Sequence, residues 1–164
     1  MTPAAGYVAA LAGFERMTTG RLASLLAGRD PAEAYAIAVG RQRPPDPIAS
    51  LFGRDPTLAA SWKAEADRRT PDSAWEACVA NGIAVVVPGD TMYPSQLLDD
   101  PRRPAVLFVR GDLGVLDARR VGIVGKPHHP QIRPVVEHLV RRFEALGVAL
   151  VIEERTAAWE DLAI

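Results

Sequence analysis

The tightest constraint on what this chain can fold into is a change of pattern at Asn81-Gly82. Before it, proline-led helix starts recur: Asp30-Pro31-Ala32-Glu33, Asp55-Pro56 and Thr70-Pro71. In each, a capping oxygen precedes a proline at the first helical position, where the missing N–H would have no intrahelical partner anyway. Glu33, three residues after Asp30, adds the second half of a capping box. After Asn81-Gly82 come four apolar runs rich in β-branched residues: Ile83-Ala84-Val85-Val86-Val87, Ala105-Val106-Leu107-Phe108-Val109, Val121-Gly122-Ile123-Val124 and Val148-Ala149-Leu150-Val151-Ile152. Strands apolar on both faces predict a parallel sheet covered by helices. Asn81-Gly82 itself reads as a helix stop, since both residues tolerate the left-handed cap conformation.

Between the last two runs the period changes to that of a helix. Ile132, Val135, Val136, Leu139, Phe143 and Leu146 fall on one face, with Glu137 and Arg141 four apart on the other. Gly147 ends that helix and the chain turns into the next strand, giving a right-handed strand–helix–strand unit. Thr156 is placed to cap a further helix over 157–163. In the first half, Leu22, Leu25 and Leu26 supply an apolar stripe, and Arg41 to Pro47 reads as a proline-rich loop. The expected fold is therefore α/β: a small helical domain over residues 1–76, then a partial Rossmann-like parallel sheet with flanking helices over 77–164. A sheet left this incomplete would expose an unpaired edge and an apolar face, so aggregation or a homodimer is expected.

Composition narrows the classes of function. Hydrophobic residues make up 48% of the 164 residues and the formal net charge is −1, which fits a globular chain and excludes a wholesale nucleic-acid coat. No apolar run approaches the roughly 20 residues of a membrane span, and no signal-peptide pattern opens the sequence, so no membrane partner and a cytoplasmic location are expected. The single cysteine, Cys78, forms neither an internal disulfide nor a metal cluster and reads as a buried helix filler. Trp62, Trp75 and Trp159 read as packing residues on helices.

The candidate chemistry is binding. Between Pro101 and Arg142 nine Lys/Arg stand against three acids, nine minus three or +6, a local density that attracts a phosphate backbone. Arg119, Arg120, Gly125 and Lys126 are the expected phosphate contacts, grouped around a strand of the kind beside which nucleotide folds place ligands. Phe108 is the one aromatic residue of this window, inside a predicted strand. His128-His129 lacks the further ligands of a metal site. Ser95 lacks the glycines of a nucleophile elbow. The carboxylates Glu153, Glu154, Glu160 and Asp161 read as surface dressing. No nucleophile–base–acid set is visible, so neither an enzyme activity nor a cofactor is expected.

The stretch from Gly82 to Val124 resembles the DNA-processing A family, also called Smf. The residues that carry the resemblance are Asp90, Tyr93-Pro94, Leu97-Leu98, Pro104, Leu107-Phe108, Gly111-Asp112-Leu113, Leu116 and Val121-Gly122-Ile123-Val124-Gly125. Leu11-Ala12-Gly13-Phe14 and Arg21-Leu22 to Leu25-Leu26 resemble the helical domain that precedes the nucleotide fold there, so the likeness runs over about residues 1–125. It implies single-stranded DNA as ligand, a recombinase as partner and a role in natural transformation and recombination. In that family, glycine-containing loops and an arginine hold the phosphates. This chain has Lys126-Pro127 where the family has a hydroxyl residue and arginine, and Glu153-Glu154-Arg155 where its second loop begins. The DNA binding implied is therefore weakened.

A second likeness overlaps the first. Val121 to Pro130, then Leu139, Gly147-Val148 and Glu153 to Ala157, resemble the opening strand–helix–strand of NAD kinases over about residues 121–163. The Gly-Gly-Asp-Gly motif that carries that chemistry is absent from this sequence, so a nucleotide-binding remnant without kinase activity is the alternative reading. The chain reads as a truncated or hybrid DNA-processing A relative.

Overall fold

The structure, a computed structural model, describes residues 2–123 and 133–152. The chain divides into two compact units, Met1–Gly111 and Asp112–Ile164. It is of the α/β class, with seven α-helices and four strands in the described residues.

In the first unit, six helices run α1 (Ala4–Ala12), α2 (Thr19–Leu26), α3 (Pro31–Ala38), α4 (Asp46–Arg54), α5 (Pro56–Ala66) and α6 (Pro71–Ala80). The starts follow the local chemistry. Asp30 accepts from the Ala32 N–H at 2.8 Å, and the Thr70 hydroxyl accepts from the Ser73 N–H at 3.1 Å. Thr18 caps α2 in the same way through the Arg21 N–H. Asp55 departs from the expectation. Its backbone precedes α5, but its carboxylate caps no N–H; it takes the Thr57 hydroxyl at 2.9 Å and the Arg16 guanidinium instead. Two charge-assisted or hydroxyl partners outcompete a backbone amide. The loop expected to reach Pro47 is also shorter, since α4 begins at Asp46.

Leu11, Leu25, Ile37, Ile48, Leu58 and Trp62 make the center of the helical core, each 2% exposed or less. An aromatic chain threads it. Tyr35 meets Tyr7 at 5.7 Å and Phe14 at 5.9 Å between ring centroids, and Trp62 meets Phe14 at 6.2 Å and Phe52 at 5.7 Å. The indole N–H of Trp62 donates to the Glu15 carbonyl at 3.0 Å, so full burial leaves no polar atom without a partner. Cys78 is buried on α6, as its apolar neighbours predict, and Trp75 is half-buried there. Gly6 lets α1 approach α6 closely: a Cβ at that position would lie 2.7 Å from the Pro71 carbonyl oxygen.

Helix α6 stops where expected, but the two stop residues act differently. Gly82 takes the left-handed conformation at φ +62°. Asn81 stays at φ −101° and uses its side-chain amide to donate to the Ala77 carbonyl at 2.8 Å. Strand β1 (Ile83–Val86) then pairs with β2 (Leu107–Arg110), and both belong to the same compact unit as the helices. The pairing is antiparallel, with Ile83 opposite Arg110 and Val86 opposite Leu107. The expectation of one parallel sheet through all four strands does not hold for this pair. A parallel partner needs a crossover, usually a helix, and the connection from 87 to 106 holds only a one-turn 3-10 segment, Ser95–Leu97.

The second unit carries the parallel element. Strand β3 (Arg120–Ile123), helix α7 (Arg133–Ala145) and strand β4 (Ala149–Ile152) form a strand–helix–strand unit. Its register sets Arg120 beside Ala149 and Ile123 beside Ile152. Gly147, at φ +64°, ends the α7 turn as predicted. The apolar stripe of α7 is only partly covered: Val136 is buried, while Val135, Leu139 and Leu146 remain exposed. Thr156, Trp159 and the carboxylates from Glu153 to Asp161 lie outside the described residues. Among the described residues no helix is long and apolar enough to cross a membrane.

Candidate nucleic-acid interface

The loop from 87 to 106 holds the motif residues Asp90, Tyr93-Pro94, Leu97-Leu98 and Pro104, and the structure gives several of them mechanical tasks. The Asp90 carboxylate accepts from the Val87 N–H at 2.8 Å, closing the turn after β1. The Tyr93 N–H donates to the Asp90 carbonyl at 3.0 Å, which brings the phenol ring inward. Tyr93 is buried, and its hydroxyl donates to the Pro104 carbonyl at 2.8 Å. Pro94 fixes the entry to the 3-10 turn, where the Leu97 N–H bonds back to the Pro94 carbonyl at 3.0 Å. The Arg103 guanidinium donates to the Leu98 carbonyl at 3.0 Å and closes the far side. Burial pushes the Tyr93 phenol above its ordinary pKa, against the lowering pull of Arg103, so it stays a donor at neutral pH.

The Gly-Asp-Leu motif is a second structural device. Gly111 sits at φ +101°, a region that favours glycine. Asp112 caps the following 3-10 turn, Leu113–Asp117, by accepting from the Gly114 N–H at 2.8 Å. The spacing recognised in the sequence is thus the spacing of two turns, one on each side of β2.

Arg119 and Arg120, expected as phosphate contacts, are exposed in the second unit, just before and at the start of β3. Consecutive side chains along extended backbone point to opposite faces, so the two do not form one guanidinium pair. The Arg120 guanidinium donates to the Leu116 carbonyl, and the Arg119 carbonyl accepts from the Ala149 N–H at 2.8 Å. Arg119 therefore contributes backbone to the parallel pair while its side chain stays exposed. Gly125, Lys126, His128 and His129 lie outside the described residues. Among the described residues no cluster of His, Cys, Asp or Glu could hold a metal ion.

Phe108 has a place that the sequence pattern alone does not predict. Its run of apolar neighbours predicts a strand covered on both faces, but β2 alternates half-buried and exposed, and Phe108 is 48% exposed. Arg110, two residues on and so on the same face, is exposed as well. Their partners across the strand pair, Val85 and Ile83, pack against the helical core, so the cover over those residues does not extend over the Phe108 ring. An aromatic face beside a guanidinium is the elementary unit of single-strand recognition: the ring stacks on a base and the cation meets the phosphate. In the same unit Arg102 and Arg103 are exposed before the strand.

Residues 84–152 match the family model described as DNA recombination-mediator protein A. The match takes in Asp90, Tyr93, Gly111-Asp112 and the strand–helix–strand, and it continues beyond residue 125 to Ile152. No curated protein and no solved structure matches the chain. Over residues 84–152, from β1 to the end of β4, the resemblance is to the DNA recombination-mediator protein A family.

Proposed function

We propose that this chain acts in DNA processing during recombination and natural transformation as a non-catalytic protein that binds single-stranded DNA weakly. The observation that carries this reading is the exposed Phe108 ring beside Arg110 on β2, inside the segment matched by the recombination-mediator family. Phe108 supplies a stacking surface indifferent to base identity, and Arg110 supplies charge for the backbone. Arg119, Arg120, Gly125 and Lys126 are the proposed phosphate contacts of the second unit, which we read as Rossmann-like. The bond from Arg120 to the Leu116 carbonyl uses one terminal nitrogen, so its guanidinium keeps donors for a phosphate oxygen. The exposed Val135, Leu139 and Leu146 stripe of α7 supports self-association of that unit.

Fluorescence anisotropy with a labelled oligo-dT, titrated at low and moderate salt, tests the reading. Binding should weaken steeply with salt, as counterion release requires, and should differ little between oligo-dT and a mixed sequence. Equal affinity at both salts, or no binding by a folded and monodisperse sample, would sink it.

A further inference from the structure

A cleft of about 420 Å³ opens in the first unit, between the end of α2, the start of α3 and the loop that leaves β1, and Phe108 is not among its lining residues. Its walls are apolar: Val8, Leu26, Pro31, Val87, Pro88 and Pro101. Two cations share the lining, Arg29 and Arg103. No side-chain amide, hydroxyl or carboxylate belongs to it.

Both guanidiniums are held in place by backbone. One terminal nitrogen of Arg29 donates to the carbonyls of Ser24 at 3.2 Å and Ala27 at 2.9 Å, at the end of α2, and Arg103 is tied to the Leu98 carbonyl. A planar fork fixed through one nitrogen keeps donors on its others and loses little freedom on meeting an anion. The carboxylates next to them in sequence are turned elsewhere. Asp30 caps α3, and Asp100 accepts from the Arg102 N–H at 2.7 Å. Among the described residues neither guanidinium lies within ion-pair distance of a carboxylate.

We propose that this cleft is a binding site for a small organic anion with an apolar body, of the aryl or acyl carboxylate class. The volume falls in the range of small-molecule sites, and the lining has their usual composition, apolar walls with few charged groups. The proline rings and Leu26 take the body, and Arg29 and Arg103 take the carboxylate. A nucleotide is disfavoured, because once the two guanidiniums engage the phosphate the walls offer no further side-chain partner to the polar edge of a base, and leaving that edge buried and unpaired is costly.

The test is a methyl-detected NMR titration of the full chain with 4-phenylbutyrate, 4-phenylbutanol and dAMP in parallel. Phenylbutyrate should shift the methyls of Val8, Leu26 and Val87 to saturation. The alcohol, equal in shape but uncharged, should bind about tenfold more weakly, as should dAMP. Arg103→Gln should weaken phenylbutyrate about tenfold, and Arg103→Lys, which keeps the charge and loses the fork, by less. Equal binding of acid and alcohol, equal binding of dAMP, shifts confined to α7, or an Arg103→Gln variant with unchanged affinity would each overturn the proposal. The spectrum of each variant without ligand reports directly whether the fold is intact.

Discussion

The hydroxyl of Tyr93 reaches the carbonyl oxygen of Pro104 at 2.8 Å, across 11 residues of loop, and the phenol ring is buried beneath it. This one bond ties the interior of the segment that leaves β1 to its end, just before β2. Tyr93→Phe keeps the ring and removes the donor. The variant should lose about 1 kcal/mol in urea unfolding. Amide hydrogen exchange should rise in residues 87–106 while α1 and α3 keep their protection. Equal rise everywhere would mean that the bond serves the whole unit and not the loop.

Gly6 sits on the contact between α1 and α6. Alanine there gains about 0.5–1 kcal/mol of helix propensity. The added Cβ would press on the Pro71 carbonyl oxygen at 2.7 Å, a backbone atom that no rotamer change can remove. Overpacking of this kind costs about 1–3 kcal/mol. Gly6→Ala should therefore lower the unfolding midpoint in a denaturant titration, and an unchanged or higher midpoint would show that the two helices separate easily.

Asp55 sets an acid-side dependence. The Thr57 hydroxyl bond, followed by the Arg16 and Arg21 guanidiniums, holds its carboxyl below the usual carboxylate range. A depressed folded-state pKa stabilises the fold above the unfolded value of about 4, and that contribution is lost as pH falls through the folded value. The fall in melting temperature of the native chain below about pH 4 should be shallower in Asp55→Asn. At neutral pH the variant should melt lower than the native chain. Parallel melting curves across the acid range would exclude the carboxylate as the source.

Phe108 separates binding from stability. Because the ring is 48% exposed, Phe108→Ala should change urea unfolding much less than a core truncation would. On oligo-dT the same change should cost about 1–3 kcal/mol if a base stacks there. Arg110→Gln should instead reduce the salt dependence of binding. A Phe108→Ala variant that unfolds early and binds normally would assign the ring to packing.

What could be read from the sequence was whatever local chemistry decides. Pro31 and Pro71 mark true helix starts because Asp30 and Thr70 cap within a few residues. Gly147 marks a true stop because it needs only its own φ. The parallel strand–helix–strand was legible from the change of period between Val121 and Ile152. Asp55 was not, since its partner Arg16 comes from 39 residues away and diverts it from capping. Nor was the antiparallel pairing of β1 with β2, since the apolar runs are alike in either direction and the direction follows from a connection that forms no crossover helix. At the candidate interface, the Tyr93 and Gly111 motifs were visible as a family likeness, while their work as a strut and a turn appears only in three dimensions. The exposure of Phe108 was illegible because it depends on α1 and α6 packing on β1, a tertiary fact that the apolar run does not carry.

The packing of α1 has a consequence for synthesis. This helix lies against α3, α6 and β1, so it is held mainly by segments made after it. At about 5–20 residues per second, several seconds separate the emergence of α1 from that of α6. Throughout that interval Val8 and Leu11, both buried in the finished protein, have no α6 to lie against. The nascent chain thus carries an apolar segment past the ribosome exit before its cover exists, and chaperone demand should peak before β1 is translated and fall once α6 has closed over Gly6.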